Sequence, residues 1–275
     1  MWTLSGFADE ISPELSEQLE VLAAEKIKYM ELRGVWNINV VKFTDEQLKS
    51  IKEALDAAGV KVSSIGSPIG KIKITDPMAP HLDDMQRAIH AAQYLGSPYI
   101  RIFSFFLPEG ENPAKYRGEV MDRLFQVVKA AEGTGVTLLH ENEKHIYGDI
   151  PERCHDILTT IGSPSLRAVW DPANFVQVGV RPFTEGFKLL RPYIEYVHVK
   201  DAVLETGGVV PAGEGDGEIR QLVAALKADG FDGFFSIEPH LASAGVFSGF
   251  SGPQLWRTAS QAFKAILAEN GVTWA

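Results

Sequence analysis

The sequence predicts an α/β fold, a single (β/α)8 TIM barrel in which residues 1–275 form one domain. Two observations lead to this prediction. Short apolar runs alternate with longer amphipathic segments from one end of the chain to the other. Eight such runs are present, and eight strand–helix units suit an α/β barrel, which typically has about 250 residues.

The predicted strands are rich in β-branched and aromatic residues, and most are apolar throughout, which is typical of strands buried on both faces. They are Thr3–Phe7, Lys28–Leu32, Lys61–Ile65, Tyr99–Phe103, Val136–Glu141, Leu166–Asp171, Tyr196–Lys200 and Gly233–Glu238. An open, doubly wound sheet is the rival interpretation. Such a sheet usually has a glycine-rich phosphate loop after its first strand. Here the first strand continues into Phe7-Ala8-Asp9-Glu10, which favours the barrel.

The segments between the strands carry helix start signals. Ser12 is predicted to cap the first helix, with Pro13 at its first position. Thr44 and Gln47 match a capping box, and the stretch 149–152 repeats that pattern. Further helices are predicted at His81–Leu95, Pro113–Glu132, Phe183–Leu190, Glu218–Asp229 and Gly252–Glu269.

Composition and charge exclude several classes of function. The chain has 36 acidic and 26 basic residues, a net charge of −10 that disfavours nucleic acids and anionic membranes as partners. One cysteine, Cys154, cannot form an internal disulfide, and the sequence shows neither a signal peptide nor an apolar run long enough for a membrane helix. We therefore predict a cytoplasmic protein with a small-molecule partner, and the sequence leaves homo-oligomer formation open.

Four predicted strands in succession end with a carboxylate or an imidazole. In a (β/α)8 barrel the active site lies at the C-terminal ends of the strands. Each of these four residues lies about one strand–helix unit from the next, so we expect the side chains to converge at one rim. They are Glu141, Asp171, His198 and Glu238.

This set predicts one divalent metal ion. Three packed carboxylates repel one another unless a cation lies among them. Three oxygens and one imidazole suit Mn²⁺, our first choice, and also Mg²⁺, Co²⁺ or Zn²⁺, with open positions for water or substrate. Taken singly, each acid has the alternative of a cap or salt bridge, and His198 that of an ordinary core histidine. The matching positions on successive strands favour the shared site.

Other residues near the predicted rim are candidates for substrate binding. Lys200 adjoins His198, Glu31 and Arg101 lie in predicted strands, and Lys71 follows the third strand. A basic side chain there suits a phosphate or carboxylate group. The structural alternative is a salt bridge to a neighbouring acid, and Arg101 is expected to neutralise Glu31 in that case.

Four segments in order resemble the motif series of the xylose isomerase-like TIM barrels, in the branch of the sugar phosphate isomerases and epimerases. They are Glu141-Asn142, Asp171-Pro172-Ala173-Asn174, His198-Val199-Lys200-Asp201 and Ile237-Glu238-Pro239. The resemblance spans nearly the whole chain. It implies that Glu141, Asp171, His198 and Glu238 bind one divalent metal, and that the two glutamates double as acid/base residues.

The sequence also departs from two branches of this family. The DNA-repair endonucleases carry histidine where Asn174 stands, and an aspartate–histidine pair near the stretch 210–212, which reads Val-Pro-Ala. These differences and the negative charge argue against a nuclease. Ketose 3-epimerases also tend to have a substrate-contacting histidine at this position, and its absence argues against their exact substrates but not against the metal. Asn174 is our candidate for substrate binding there.

The leading prediction is therefore a metal-dependent isomerase or epimerase of a small sugar, sugar phosphate or polyol derivative. The metal would polarise a carbonyl, and Glu141 or Glu238 would remove the adjacent proton to give a metal-bound enediolate. The alternative is a dehydratase or lyase that acts on a keto-inositol or keto-sugar with the same metal site. A sugar-binding barrel without catalysis is the third hypothesis.

Overall fold

Eight parallel strands form a nearly closed barrel in the computed structural model, which describes residues 1–242 and 249–275. The strands are β1 (Thr3–Gly6), β2 (Tyr29–Leu32), β3 (Lys61–Ile65), β4 (Tyr99–Ile102), β5 (Thr137–Glu141), β6 (Leu166–Trp170), β7 (Ile194–Val199) and β8 (Phe234–Ile237). Their hydrogen-bonded order is β1-β8-β7-β6-β5-β4-β3-β2. The predicted (β/α)8 barrel is confirmed, and each predicted strand overlaps an observed one.

The first and last strands of this order, β1 and β2, meet at one parallel bridge within the described ranges. The bridge joins Phe7, just after β1, to Glu31 in β2. A register shift also falls between Met30 and Glu31, where β2 pairs with β3. The extra residue is Ser63 in β3, because Met30 pairs with Val62 and Glu31 with Ser64, and it is β3 that such a bulge bends.

The outer layer consists of helices that follow the strands. They are α1 (Leu15–Ala24), α2 (Asp45–Ala58), α3 (Ala79–Leu95), α4 (Arg117–Ala131), α5 (Pro151–Ile161), α6 (π-helical over Pro182–Phe187, then α-helical over Lys188–Leu190), α7 (Ile219–Ala228) and α8 (Gly252–Glu269). No helix in either described range is long and apolar enough to cross a membrane.

Shorter elements fill the loops at the rim. Single helical turns occupy Ala8–Glu10, Val40–Lys42, Pro113–Lys115 and Pro172–Val176. Two small antiparallel hairpins pair Gly34–Val35 with Ile38–Asn39, and Asp201–Ala202 with Val209–Val210.

The helix starts agree with the sequence in one place and differ in two. The capping box is confirmed, because Thr44 and Gln47 exchange both hydrogen bonds. The predicted start at Ser12 was wrong: α1 begins at Leu15, and the Ser12 hydroxyl accepts from the Glu14 N–H in the turn before it. The cap predicted at residue 149 was also wrong, since Ile150 precedes α5 and the Asp149 carboxylate pairs with a side chain, Arg153.

The barrel interior changes character along its axis. Leu139, Val169 and Tyr196 form an apolar cluster inside, against which Tyr99 and Phe234 pack. Closer to the C-terminal ends of the strands, hydroxyl groups meet across the interior. Ser63 contacts Ser5 at 2.6 Å and Tyr196 at 2.9 Å between their side-chain oxygens. Charged residues follow at the rim, where the candidate site lies.

Candidate metal centre

The four strand-end residues meet at the C-terminal rim of the barrel. Glu141 ends β5, Asp171 follows β6, His198 lies in β7, and Glu238 follows β8. One ligating atom from each lies within 4.8 Å of the other three, and all four side chains are buried. Neighbouring parallel strands in matched register bring these residues to the same level along the barrel axis, as predicted from the sequence.

The His198 ring lies between two groups of carboxylates. Its Nδ1 atom is 3.3 Å from Glu141 Oε1, 3.2 Å from Glu238 Oε2 and 3.9 Å from Asp171 Oδ2. Its Nε2 atom, on the opposite edge of the ring, is 3.2 Å from Glu31 Oε2. One ring edge therefore faces the strand-end cluster and the other faces a carboxylate within the barrel.

Two buried cations contact the same carboxylates. Lys200 Nζ lies 2.7 Å from Asp171 Oδ2 and 3.3 Å from Glu238 Oε2. Arg101 Nη1 lies 3.2 Å from Glu141 Oε2 and 3.6 Å from Glu238 Oε1. The expectation that Arg101 neutralises Glu31 was therefore wrong, because its guanidinium reaches the acids at the rim instead.

The electrostatics of the cluster follow from burial and from close charges of both signs. Burial raises the pKa of Asp171 to about 7, in spite of Lys200, and the other two carboxylates add to the rise. For Glu141, burial opposes ionisation, but His198 and Arg101 outweigh it and lower the pKa to about 2. The surrounding carboxylates raise the pKa of His198 well above its ordinary value against the effect of burial. The centre of the cluster thus attracts positive charge.

The donor atoms fit a divalent cation. Three of the buried ligating atoms, Glu141 Oε2, Asp171 Oδ2 and His198 Nδ1, make no hydrogen bond within the part of the chain that the structure describes. A buried polar atom without a partner costs about 1–3 kcal/mol. Carboxylate oxygens with one imidazole nitrogen are a donor set that Mn²⁺, Mg²⁺, Co²⁺ and Zn²⁺ accept. Lys200 and Arg101 already lie near the two carboxylate oxygens, and a divalent cation among the three atoms would also give His198 Nδ1 a partner.

Two asparagines hold the carboxylates in place. Asn174 Nδ2 donates to Glu141 Oε1 at 3.1 Å and to the Asn142 carbonyl at 2.9 Å. Asp171 Oδ1 accepts from the Asn174 N–H at 2.9 Å and so caps the helical turn Pro172–Val176. The side chain of Asn142 makes two hydrogen bonds to the Asp171 backbone: its Nδ2 donates to the carbonyl, and its Oδ1 accepts from the N–H. This network leaves Asp171 Oδ2 directed toward the cluster.

A cavity of about 380 Å³ opens beside the cluster. Its charged lining is mainly cationic although the chain as a whole is acidic. Four of the five predicted substrate-binding residues line it, namely Lys200, Asn174, Arg101 and Lys71, whereas the fifth, Glu31, lies in the barrel interior beside His198. The charged lining residues are Arg33, Lys71, Arg101, Glu143, Lys144, Lys200 and Glu238, and His240 lies beside them.

Two lysines at the cavity differ in their partners. Lys71 Nζ lies 3.1 Å from Glu143 Oε2 and 4.2 Å from the centre of the Phe103 ring. Lys144 Nζ donates to the side-chain oxygen of Gln177 at 3.2 Å. Lys71 therefore forms the salt bridge that was the structural alternative to substrate binding, whereas Lys144 contacts a neutral amide.

A second group of charged and titratable side chains lies next to Glu238, and its two acids, Asp9 and Glu10, were not predicted from the sequence. Glu10 Oε1 lies 3.2 Å from His240 Nε2, which is 3.5 Å from Glu238 Oε1. Arg33 pairs with Asp9 at 2.6 Å, and burial raises the pKa of Glu10 to about 8 against the charge of Arg33. Asp9 and Glu10 follow β1 and His240 follows β8, so the strand-end rule applied to these strands also would have found them.

Known proteins are similar to this chain in sequence and in fold. A family model described as xylose isomerase-like TIM barrel matches residues 19–266. The chain is 26% identical over 178 residues to 2-epi-5-epi-valiolone 7-phosphate 2-epimerase of Actinoplanes sp. (strain SE50/110), and the match covers 64% of this chain and 64% of that enzyme's length. The aligned part is thus just under two thirds of the relative.

Solved structures of similar fold cover nearly the whole chain. A D-tagatose 3-epimerase-like protein has a TM-score of 0.76 at 19% identity over 98% of both chains. An IOLI protein with a bound zinc atom has a TM-score of 0.77 at 16% identity over 98% of this chain and 99% of its own. The eight-stranded barrel and a family model that matches most of the chain lead to one conclusion. The protein is a member of the xylose isomerase-like TIM barrel family.

Proposed function

We propose that the protein is a divalent-metal-dependent isomerase or epimerase of a small sugar, sugar phosphate or polyol derivative. The observation that carries this proposal is the convergence of four buried ligating side chains, within 4.8 Å of one another, beside a cavity of about 380 Å³. Glu141, Asp171, His198 and Glu238 would hold one cation, with Mn²⁺ as the first candidate and Mg²⁺, Co²⁺ or Zn²⁺ as alternatives. The epimerase and zinc-containing relatives support this class of enzyme.

Proton transfer is assigned to the two glutamates in this proposal. When bound, the cation acts as a Lewis acid toward a substrate carbonyl. Glu141 and Glu238 come from β5 and β8 and both approach Nδ1 of His198, at 3.3 and 3.2 Å, so a substrate carbonyl held at the cluster would be within reach of both carboxylates. One would take the proton from the carbon next to the carbonyl. Its return to the opposite face epimerises that carbon, and its return to the neighbouring carbon isomerises the sugar.

The cavity cations have a separate part in this proposal. Lys200 and Arg101 are buried hydrogen-bond donors that line the cavity. Fixed donors in a site that excludes water stabilise the negative charge that develops on a substrate oxygen during proton removal. Asn174 would contact the substrate with the side chain that also keeps Glu141 in place.

The excess of cations at the cavity supports a substrate with an anionic group. We propose that Lys71 and Lys144, which line the same cavity, receive a phosphate or carboxylate at the end of the substrate away from the carbonyl. Lys144 is the stronger candidate of the two because its side chain contacts an uncharged amide, whereas Lys71 already contacts Glu143.

We also propose that residues 1–275 work as one domain. The two ends of the chain meet next to β1: the Trp2 N–H donates to the Thr273 carbonyl and the Leu4 N–H to the Ala275 carbonyl. The four proposed metal ligands come from β5 to β8, and β8 pairs with β1. The proposed site therefore depends on strands from both halves of the chain.

A solvent-exchange screen tests the proposed function. The protein is incubated in D₂O with ketoses, ketose phosphates and inososes, once after metal removal with a chelator and once after addition of Mn²⁺. We expect deuterium at the carbon next to the carbonyl with the Mn²⁺-loaded protein alone, and a product that has lost no water. A product that has lost water would identify the dehydratase instead. Mn²⁺-dependent binding of a polyol without exchange would identify a sugar-binding barrel.

The anionic group is tested with Lys144→Met, and Lys49→Met on the exposed face of α2 is the matched control. An exposed ion pair contributes about 0.2–1 kcal/mol, so KM for the phosphorylated substrate should rise about two- to fivefold. KM for the unphosphorylated sugar should not change, and the control should alter neither. An equal rise for both sugars would contradict the anionic subsite.

A further inference from the structure

We infer that Glu31 is a positioning residue of this metal centre, which holds the His198 ring with Nδ1 toward the three strand-end carboxylates. The inference rests on the proposed function, since it concerns how the chain prepares one of its four proposed ligands. Glu31 is 1% exposed and lies in the barrel interior, apart from the residues that line the cavity in the described ranges.

The contact between Glu31 and His198 determines which nitrogen of the imidazole carries no proton. An ionised carboxylate accepts hydrogen bonds and cannot donate them. Glu31 Oε2 lies 3.2 Å from His198 Nε2, so the proton of a neutral ring belongs on Nε2. The lone pair of the ring is then on Nδ1, which faces Glu141, Asp171 and Glu238.

The backbone of β2 supports this placement. Side chains alternate along a strand, and the Tyr29 ring packs on Phe234 in the barrel interior, so Glu31, two residues later, also points inward. The main chain of Glu31 is held on both edges of β2. It pairs with β3 on one edge and forms the bridge to Phe7, after β1, on the other. The regular alternation of β2 therefore brings the Glu31 carboxylate into contact with a ring on a non-adjacent strand.

Aromatic side chains restrict the ring from two more directions. The Phe7 ring meets the His198 ring edge to face, with centroids 5.2 Å apart and an interplanar angle of 77°. The Tyr196 ring does the same at 5.9 Å and 90°. With Glu31 at Nε2, these contacts restrict the imidazole to one orientation.

Glu31 has no lysine or arginine partner among the described residues. Arg101, the cation that could have neutralised it, contacts Glu141 and Glu238. Glu31 Oε1 makes no hydrogen bond with any residue that the structure describes. Burying a carboxylate with so few partners is costly. Carboxylates that accept from the second nitrogen of a metal-binding histidine commonly improve metal affinity by about 10–100-fold.

Zinc binding and the protonation of the ring test the inference together. Isothermal titration with Zn²⁺ compares the wild type with Glu31→Ala, Glu31→Gln and the control Glu25→Gln, which alters another buried carboxylate, paired with Lys264. We expect Kd to rise about 10–100-fold in Glu31→Ala and less in Glu31→Gln, which keeps an acceptor. The control should bind zinc as the wild type does. In ¹⁵N-histidine NMR of the zinc-loaded wild type, the ring that responds to zinc should carry its proton on Nε2.

The outcomes separate this inference from the proposed function. A folded Glu31→Ala protein with an unchanged Kd, or zinc on Nε2 of the responding ring, would overturn the inference while the metal site stands. If Glu31→Ala does not fold, the NMR result and Glu31→Gln still decide. A wild type that binds no zinc, Mn²⁺, Mg²⁺ or Co²⁺ would overturn the proposed metal site and the inference with it.

Discussion

The two ends of the barrel interior are built from the same strands and differ sharply in chemistry. Toward the N-terminal end, Leu139 and Val169 pack with the rings of Tyr99, Tyr196 and Phe234. At the C-terminal rim, successive strands contribute buried charges, and several of their polar atoms have no hydrogen-bond partner among the described residues. Packed aromatic and aliphatic groups stabilise the fold. Buried carboxylates oppose it unless a ligand pairs with them.

The residues that stabilise the fold and the residues of the candidate site are therefore separated along the barrel axis. The polar groups at the N-terminal end have partners: the Tyr99 hydroxyl donates to Glu195 at 2.8 Å, and Arg167 donates to Glu195 at 3.1 Å. The rim carboxylates have cations nearby but still leave ligating atoms without a hydrogen bond. Substitutions at the rim should therefore alter activity, and substitutions in the apolar layer should alter stability.

The largest expected effect is at the rim. Glu238→Gln removes a carboxylate that the proposal uses for proton transfer, so solvent-deuterium exchange should fall about 10²–10⁴-fold. Glu195→Gln is the matched control, because this carboxylate stands at the other end of β7 and is half exposed. It should retain full exchange activity. An equal loss in both variants would show that the two ends are not separated in the way described.

A smaller effect is expected in the apolar layer. Leu139 is fully buried, so Leu139→Ala should lower the free energy of unfolding by about 2–5 kcal/mol, measured by urea denaturation. Leu139→Ile keeps the side-chain volume and should cost less than about 1.5 kcal/mol. Exchange activity per folded molecule should stay near that of the wild type in both. A variant as stable as the wild type but inactive would contradict the comparison.

The smallest expected effect is in a loop beside the cavity and depends on pH. The Gly70 N–H donates to His81 Nε2 at 2.7 Å, so the folded protein needs a neutral ring. Burial lowers the pKa of His81, Arg123 and Lys42 lower it further, and Asp84 opposes them. Above the ordinary histidine pKa the folded and unfolded rings are both neutral, and this contribution to stability is complete.

As the pH falls below about 6.5, the unfolded chain binds a proton at this residue before the folded protein does, and stability is lost. We expect Tm to fall by a few degrees between pH 7 and pH 5 in the wild type, and by less in His81→Gln. The control is His90→Gln at an exposed histidine, which should behave as the wild type. The same loss of Tm in all three proteins would refute a role for His81.

Local patterns predicted much of this fold. Hydrophobic runs gave each strand to within about two residues, because every such run is buried on both faces, and the capping box of Thr44 and Gln47 depends on four consecutive residues. Helix starts that depend on other partners were not predictable in the same way. Asp149 has the sequence of a cap, yet Arg153 one turn later pairs with its carboxylate.

The site was predictable where it follows from strand ends and unpredictable where it follows from contacts across the barrel. The four proposed ligands were found by their positions alone. The partner of Arg101 was not, because Glu31 and the rim acids are all within the range of a long side chain, and sequence gives no distances. The contact of Glu31 with His198 was not predictable either, because it joins two strands that are not neighbours in the barrel.

The junction between β1 and β2 has a consequence for motion. Neighbouring strands elsewhere in the barrel are joined by ladders of two to four residue pairs, whereas this junction is described by the bridge from Phe7 to Glu31. Thermal opening should begin at such a place, and amide hydrogens there should exchange early with solvent. Glu31 also contacts His198, so a ligand that immobilises this ring would restrain β2 beside this junction as well.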